Sequence, residues 1–208
     1  LRDAIKPNLV QTSEGQPAIV HMGPFGNIAH GCSSILADKL AINCGDYVVT
    51  EAGFGADLGF EKFMDIKVRQ GGPEPSLAVI VTTIRGLKWH GGVTINDMDS
   101  PNPEAVRKGS ENLKNALRIV NMYGLQAVVA INRFPTDSKD EITIVKEVAK
   151  SAGAFSVQEA DGFMSGGDGM TELATAVVEA ANQPSEVKLL YEDKDSFFDK
   201  VEYLAKSL

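Results

Sequence analysis

Residues 77–92 read LAVIVTTIRGLKWHGG, and this stretch decides the fold class. Its first eight residues are apolar or β-branched, a pattern typical of a strand buried in a parallel sheet. A second such run, AVVAI at 127–131, follows a stretch with helical spacing at 104–123. Strand, helix and strand in this order predict a βαβ crossover, and therefore an α/β protein with a mainly parallel sheet.

The same alternation continues in both directions along the chain. The loop at 94–103 is rich in Asp, Asn, Ser and Pro, which favours a boundary between two α/β units, 1–100 and 101–208. Each unit is expected to contain a parallel sheet. Further strands are predicted at 17–22, 47–50, 155–157 and 187–191, and helices at 27–43, 60–68, 139–151 (capped by Ser138 or Asp137), 171–181 and from 196.

The composition excludes several classes of protein. The chain has 208 residues, 43% of them hydrophobic and 23% charged, which are globular values. A net charge of −8 without a basic cluster argues against a nucleic-acid partner, and no apolar run approaches a membrane span. Two cysteines and three scattered histidines give neither a disulfide framework nor a zinc-ligand spacing, and they suit a reducing cytoplasm.

Glycine-bearing loops follow several of the predicted strands. Because parallel strands end at one edge of a sheet, such loops predict a ligand site there, and free N–H groups at helix starts favour anions. No GxxxxGK[ST] and no strict GxGxxG occurs. The nearest match, GFGADLG at 53–59, allows a dinucleotide turn, but Glu51 and Asp57 would repel a pyrophosphate; a purely structural turn is the alternative.

Three groups of side chains are candidates for chemistry. Arg85, Lys88 and His90 lie just past a strand and could bind a phosphate or acyl phosphate, or belong to a solvated loop. Phe134 and Phe163 follow two further strands and could sandwich a flat heterocycle, or act as lid packing. Carboxylates at helical spacing form the third group and could hold a divalent cation or face solvent: Glu51, Asp57, Glu61 and Asp65.

Several long segments resemble formate–tetrahydrofolate ligases, in the same order along the chain. The resemblance covers nearly all of the sequence. Residues 81–92 match the family signature VATIRALKxHGG except at Thr82 and Gly86, where alanines are usual. The other matching segments are NLVQTSEGQPAIVHMGPFGNIAHGCSS (8–34), YVVTEAGFGADLGFEKFMDIKVR (47–69), INRFPTDS (131–138) and GGDGMTELATAVVE (166–179).

The resemblance implies an ATP-dependent ligase that joins formate to tetrahydrofolate through formyl phosphate. It implies Mg²⁺ with the ATP, allows a monovalent cation, and suggests a cytoplasmic homo-oligomer that acts on small molecules. Arg85, Lys88 and His90 would lie near the formyl phosphate, and Phe134 and Phe163 would bracket the pterin, although Phe163 stands where a Trp is common. The implied nucleotide or phosphate loops contain Gly23, Pro24, Phe25, Asn27, Gly91, Gly92, Gly166 and Gly167.

The resemblance also implies more chain than these 208 residues. Family members carry a P-loop of the form TPxGEGKST upstream, so the sequence is expected to be an internal fragment that is inactive alone. A P-loop segment, in the same or a separate chain, would be its partner. Residues 1–100 would then be the later part of a P-loop-NTPase-like nucleotide domain, and 101–208 a Rossmann-like domain with the folate site. A non-catalytic binding or structural module is the alternative, and a nicotinamide dinucleotide enzyme a third hypothesis.

Overall fold

A computed structural model describes residues 2–3, 5–21 and 32–207 of the chain. The chain separates into two compact units, Leu1–Glu74 with Leu189–Leu208, and Pro75–Lys188. The GPFGN loop, with Gly23, Pro24, Phe25 and Asn27, lies outside the described residues.

The unit Pro75–Lys188 is built on a three-stranded parallel sheet. Its three strands lie in the order β3-β4-β5; β1 and β2 belong to the other unit. Because the three strands are parallel, their carboxyl ends lie at the same edge of the sheet. We call this the carboxyl edge. The prediction of an α/β fold is thus confirmed. The strands are β3 (Leu77–Thr82), β4 (Gln126–Asn132) and β5 (Ser156–Ala160).

Helices cover this sheet. The buried side chains of Val128 and Ala130 pack against one helix, α7, while α4 packs against β3 and β4 and α5 packs against β5. The helices of this unit are α2 (Ile84–His90), α3 (Pro103–Gly109), α4 (Glu111–Met122), α5 (Lys139–Ser151), α6 (Gly162–Ser165) and α7 (Thr171–Ala181).

The predicted helix at 104–123 is two helices. The break falls at Ser110, which is buried and whose hydroxyl donates a hydrogen bond of 2.7 Å to the carbonyl of Val106. A serine that bonds back to a carbonyl one turn earlier favours a bend in a helix. By contrast, the helix at 139–151 is confirmed with Ser138 as its N-cap, in a full capping box with Glu141.

The unit formed by residues 1–74 and 189–208 has a different architecture. Its two-stranded sheet is antiparallel, which corrects the prediction of a buried parallel strand at 17–22; that strand is partly exposed and pairs with a neighbour across a short turn. The elements are β1 (Asn8–Gln11), β2 (Pro17–Val20), α1 (Ile35–Ile42), helical segments with wide π-type turns at Ala56–Phe60 and Phe63–Val68, and α8 (Phe197–Ser207).

Two further predicted strands, at 47–50 and 187–191, are not strands in the structure. Val49 illustrates this, because it is 89% exposed and pairs with no strand among the residues that the structure describes. Among the helices of the described ranges, none combines the length and apolar character needed to cross a bilayer. A parallel sheet was expected within residues 1–100. Among the described residues of that range only β3 lies in a parallel sheet, and its partner β4 belongs to the range 101–208.

Candidate functional site

Each strand of the parallel sheet is followed within three residues by a predicted site residue. Arg85 comes three residues after the end of β3, Phe134 two residues after β4, and Phe163 three residues after β5. Since the strands are parallel and adjacent, all three residues follow the carboxyl edge. The guanidinium carbon of Arg85 lies 5.6 Å from the centre of the Phe134 ring, within the range of a cation–π contact.

Arg85 lies in the first turn of α2. Thr83 caps this helix by accepting a hydrogen bond of 2.9 Å from the backbone N–H of Gly86. The Arg85 side chain is 40% exposed, and its Nη1 lies 3.4 Å from a carboxylate oxygen of Asp99. A partly exposed guanidinium with one weak surface partner remains available to bind an anionic ligand with two parallel hydrogen bonds.

The turn that carries Phe134 is held by two reciprocal hydrogen bonds. The Phe134 N–H donates to the Asp137 carboxylate at 2.8 Å, and the Asp137 N–H donates to the Phe134 carbonyl at 3.0 Å. Burial raises the pKa of Asp137, and the bond from the Phe134 N–H opposes this rise. The turn is further tied to β5, since the Arg133 N–H donates to the Ala160 carbonyl at 3.0 Å.

An ion-pair network lies beside this turn, and the sequence patterns gave no indication of it. The carboxylate of Glu159 accepts hydrogen bonds from both Arg133 and Lys146, the latter at 2.5 Å. The bond from Lys146 is the main cause of the lowered pKa of Glu159. The network links the residue that precedes Phe134 to β5 through Glu159 and to α5 through Lys146.

The three predicted catalytic residues do not come together. Lys88 is fully buried, with its Nζ 3.2 Å from Glu141 Oε1 and 3.2 Å from the carbonyl oxygen of Ser100. His90 is exposed at the other end of α2, about 7.5 Å along the helix axis from Arg85 at 1.5 Å per residue. The geometry does not support direct contact between the Lys88 ammonium and a ligand at Arg85.

Packing accounts for one of the predicted loop glycines. A Cβ on Gly91 would lie 2.1 Å from the Ala105 carbonyl oxygen, so glycine is needed where α2 crosses α3. Gly92 and Gly166 have positive φ angles of 96° and 58°, which glycine adopts readily. Gly167 lines an open groove of about 430 Å³ along α7.

The two predicted folate residues differ in how exposed they are to solvent. The Phe163 side chain, on α6, is 90% exposed, whereas that of Phe134 is half-buried. The structure therefore brings Phe134 next to Arg85 and leaves a free aromatic face at Phe163.

The glycines of the GFGADLG segment also have a structural explanation. A Cβ on Gly59 would lie 1.6 Å from the Gly53 carbonyl oxygen, so the two glycines allow the segment to close on itself. Between them, Phe54 has a positive φ of 68°, an uncommon conformation for a residue with a side chain, and it is 68% exposed. This close contact favours the structural turn over a dinucleotide loop.

The predicted carboxylate cluster begins just before this segment, at Glu51, and extends past it to Asp65. Burial, together with the charges of Asp57 and Asp65, raises the pKa of Glu61 to about 7. Within the described ranges, however, no group of three or more His, Cys, Asp or Glu side chains could hold a metal ion. These carboxylates therefore give no support to the divalent-cation hypothesis.

Comparison with known proteins identifies the family. The family model described as "Formate--tetrahydrofolate ligase" matches residues 1–208. A formate–tetrahydrofolate ligase of Sphingobium sp. is 52% identical over 209 residues, which cover 100% of this chain and 37% of that protein. Ligases of Symbiobacterium thermophilum and Porphyromonas gingivalis are also 52% identical, with 99% and 100% of the chain covered.

The matched relatives are much longer than these 208 residues. The chain spans 37–38% of the length of those three proteins. Because the match runs through the whole chain, including the residues that follow β3, β4 and β5, the chain belongs to the formate–tetrahydrofolate ligase family.

Proposed function

We propose that this chain forms part of an ATP-dependent ligase that joins formate to tetrahydrofolate through formyl phosphate and yields 10-formyltetrahydrofolate. The observation that carries the proposal is the contact between Arg85 and Phe134 at the carboxyl edge, in a member of this family. A cation that can bind an oxyanion and a ring that can stack on a flat heterocycle are adjacent, as a reaction between an acyl phosphate and a pterin requires.

In this proposal Arg85 acts on the transferring group. An amine nitrogen of the folate attacks the formyl carbon, the new C–N bond forms, and the bond from that carbon to the phosphate oxygen breaks. The phosphate leaves with the electron pair, and the amine proton passes to solvent. Negative charge grows on the phosphate oxygens during this step, so a fixed guanidinium stabilises the transition state more than the ground state. His90 is assigned to the same phosphate path.

Phe134 and Phe163 are assigned to the pterin ring. Phe134 provides a ring fixed by its turn, and Phe163 provides an exposed face on the next strand connection. A Phe at position 163 gives a smaller stacking area than the Trp common in the family, so we expect it to contribute less to folate affinity.

Nucleotide binding is assigned mainly to segments other than those that carry Arg85 and Phe134. Gly23, Pro24, Phe25 and Asn27 are assigned to it, with Gly92, Gly166 and Gly167 as further phosphate-loop candidates. The P-loop expected from the family is absent from these 208 residues, so it would come from the same protein or a partner chain. Mg²⁺ bound with the ATP, and a monovalent cation, belong to the same proposal.

We also propose a type for each domain, a cellular compartment and an oligomeric state. Residues 1–100 are assigned to the later part of a P-loop-NTPase-like domain and residues 101–208 to a Rossmann-like domain. Within residues 101–208, the adjacent strands β4 and β5 are parallel and joined through α5, the kind of crossover on which a Rossmann-like fold is built, and this supports the second assignment. Cys32 and Cys44 form no disulfide, which accords with a cytoplasmic enzyme, and a homo-oligomer is proposed.

A ligand panel tests the proposed function in the longer ligase that contains this chain. A ligand that binds the native state raises the melting temperature, so we expect tetrahydrofolate and ATP to raise it and NADP to leave it unchanged. A shift with NADP alone would overturn the proposal. In steady-state assays, Arg85→Ala should lower kcat more than it weakens folate binding, and normal turnover in this variant would remove Arg85 from the reaction.

A further inference from the structure

We propose that Glu141, held by Lys88, is a positioning residue that sets the spacing between Arg85 and Phe134. The inference rests on the proposed function, in which these two side chains contact the reacting substrates. Glu141 touches neither of them, so it would act through the backbone segments it connects.

The Glu141 carboxylate is fully buried and accepts four hydrogen bonds from three residues. Its Oε1 accepts the backbone N–H of Asn102 at 2.8 Å and the Lys88 ammonium at 3.2 Å. Its Oε2 accepts the Ser138 N–H at 3.0 Å and the Ser138 hydroxyl at 2.6 Å. A capping box uses only the bond to the Ser138 N–H, and it can be made by a solvent-exposed Glu.

These bonds join the two segments that carry the site. Lys88 lies in α2 one turn after Arg85, so fixing Lys88 fixes the start of the helix that presents the guanidinium. Ser138 begins α5 and directly follows Asp137, whose carboxylate holds the N–H of Phe134. A single carboxylate thus connects the helix of Arg85 with the turn of Phe134.

Stability alone does not explain a buried pair of this kind. Moving two charges from water to a protein interior costs several kcal/mol per ion before their attraction is counted, and apolar pairs of similar volume are often as stable. Burial tends to raise the pKa of Glu141, but the bonds from Asn102 and Ser138 outweigh it and leave the pKa lowered. The geometry fits an ionised carboxylate, because all four hydrogen bonds are donated to its two oxygens by other residues.

The test uses the longer ligase that contains this chain. Lys88→Met combined with Glu141→Gln removes both charges together, while the Gln still serves the capping box. We expect a melting temperature within a few degrees of the unsubstituted protein and a fall of about ten- to hundredfold in kcat/KM for folate, the scale of a 1 Å misplacement. Glu141→Asp keeps the charge but withdraws it by one methylene, and we expect a fall in the same direction.

A surface ion pair that joins α5 to the neighbouring helix α3 is the matched control. Arg107 on α3 and Glu147 on α5 lie 3.5 Å apart with side chains about 60% exposed. Arg107→Met with Glu147→Gln should change neither the melting temperature nor the kinetics.

Three results would overturn the inference, and they can be told apart. If the unsubstituted ligase has no formate- and folate-dependent turnover, the proposed function fails, and the inference with it. If it turns over and both folded Glu141 variants keep its kcat/KM, only the positioning role fails. If both variants fail to fold while the control folds, the pair serves stability and not positioning.

Discussion

At the residue scale, the two phenylalanines at the carboxyl edge differ in how firmly they are held. Phe134 is fixed by Asp137, so we expect Phe134→Ala to weaken folate binding by about 1–3 kcal/mol, the range for stacking of a flat base on an aromatic side chain. Phe163→Ala should weaken it within the same range, toward the lower end, since that ring is 90% exposed before binding. Fluorescence titration of the longer ligase with tetrahydrofolate measures both.

Two further variants make this prediction specific. Phe155 lies at the amino end of β5, 41% exposed, and Phe155→Ala should leave folate affinity unchanged. Phe163→Trp should tighten binding, because a larger ring offers more stacking area. Equal affinities in the protein with and without both Phe→Ala substitutions would remove the pair from the site.

A second prediction at this scale concerns Glu61. Its folded pKa of about 7 exceeds the ordinary value of 4.5, so the native state binds more protons than the unfolded state between these values. The stability of the unit that contains Glu61 should therefore fall as the pH rises from about 4.5 through 7. Glu61→Gln removes this penalty, and we expect it to raise the free energy of unfolding at pH 8 by about 1 kcal/mol after solvent screening.

Urea unfolding at pH 5 and pH 8 checks the effect of Glu61→Gln. The gain should be present at pH 8 and much smaller at pH 5, where Glu61 is already protonated. Glu104→Gln, an exposed change on α3, controls for the loss of one negative charge and should alter stability by less than about 0.5 kcal/mol at either pH. A gain of equal size at both values would contradict the assigned pKa.

The position of a single residue in the fold was predictable where it follows the end of a strand. Arg85 and Phe134 could be assigned to the carboxyl edge because each follows a recognisable apolar run. Glu141 could not, since a Glu three residues after a Ser is an ordinary helix start, and its burial depends on Lys88, 53 positions earlier in the sequence. Sequence spacing carries no information about such a distant partner.

At the element scale, the crossing of α2 and α3 depends on two glycines that face each other's helix. A Cβ on Gly91 would lie 2.1 Å from the Ala105 carbonyl oxygen, and one on Gly109 would lie 1.8 Å from that of Leu87. Both contacts are with backbone, which cannot move aside as a flexible side chain can. Gly91→Ala should therefore destabilise the protein by about 2–3 kcal/mol, at the upper end of overpacking costs.

Chemical unfolding of Gly91→Ala, compared with Lys108→Ala, measures this effect. Lys108 is exposed on α3, and Ala is a good helix former, so the control should change stability by less than about 0.5 kcal/mol. A Gly91→Ala variant as stable as the control would contradict the prediction, because α2 and α3 would then move apart at little cost in free energy.

The helix predicted at 139–151 is present in the structure, whereas the strand predicted at 47–50 is not. The helix at 139–151 has both a capping box and a full apolar face, so its local signals agree. The four-residue run at 47–50 has β-branched residues, but within the described part of the chain no strand pairs with it and it belongs to no sheet. Strand formation requires a neighbour, and the sequence of the run alone does not reveal whether one exists.

At the scale of the whole molecule, the α/β class was predictable, and the compact units of the structure divide the chain at a different place from the proposed domain boundary. The polar loop at 94–103 predicts a division near residue 100, whereas the structural unit begins at Pro75. Composition marks where a chain is exposed, but the unit is defined by β3, which pairs with β4 along six residue pairs from Leu77 to Thr82. In the sequence, the polar loop and the two helices that follow it lie between these paired strands.

This difference leads to a prediction about two excised segments. Residues 75–188 contain the whole parallel sheet and both members of the Lys88–Glu141 pair, and the Lys188 N–H closes the segment by donating to the Tyr123 carbonyl at 2.9 Å. We expect this segment to unfold in one cooperative transition when followed by circular dichroism in urea.

The shorter segment, residues 101–188, lacks β3 and α2. The edge of β4 that pairs with β3 is then exposed, and Glu141 has lost Lys88. Loss of one partner of a buried ion pair costs about 3–5 kcal/mol, a large fraction of the stability of a small domain, so the shorter segment should show no cooperative transition. Cooperative unfolding of both segments would instead place the boundary near residue 100, where the polar loop predicts it.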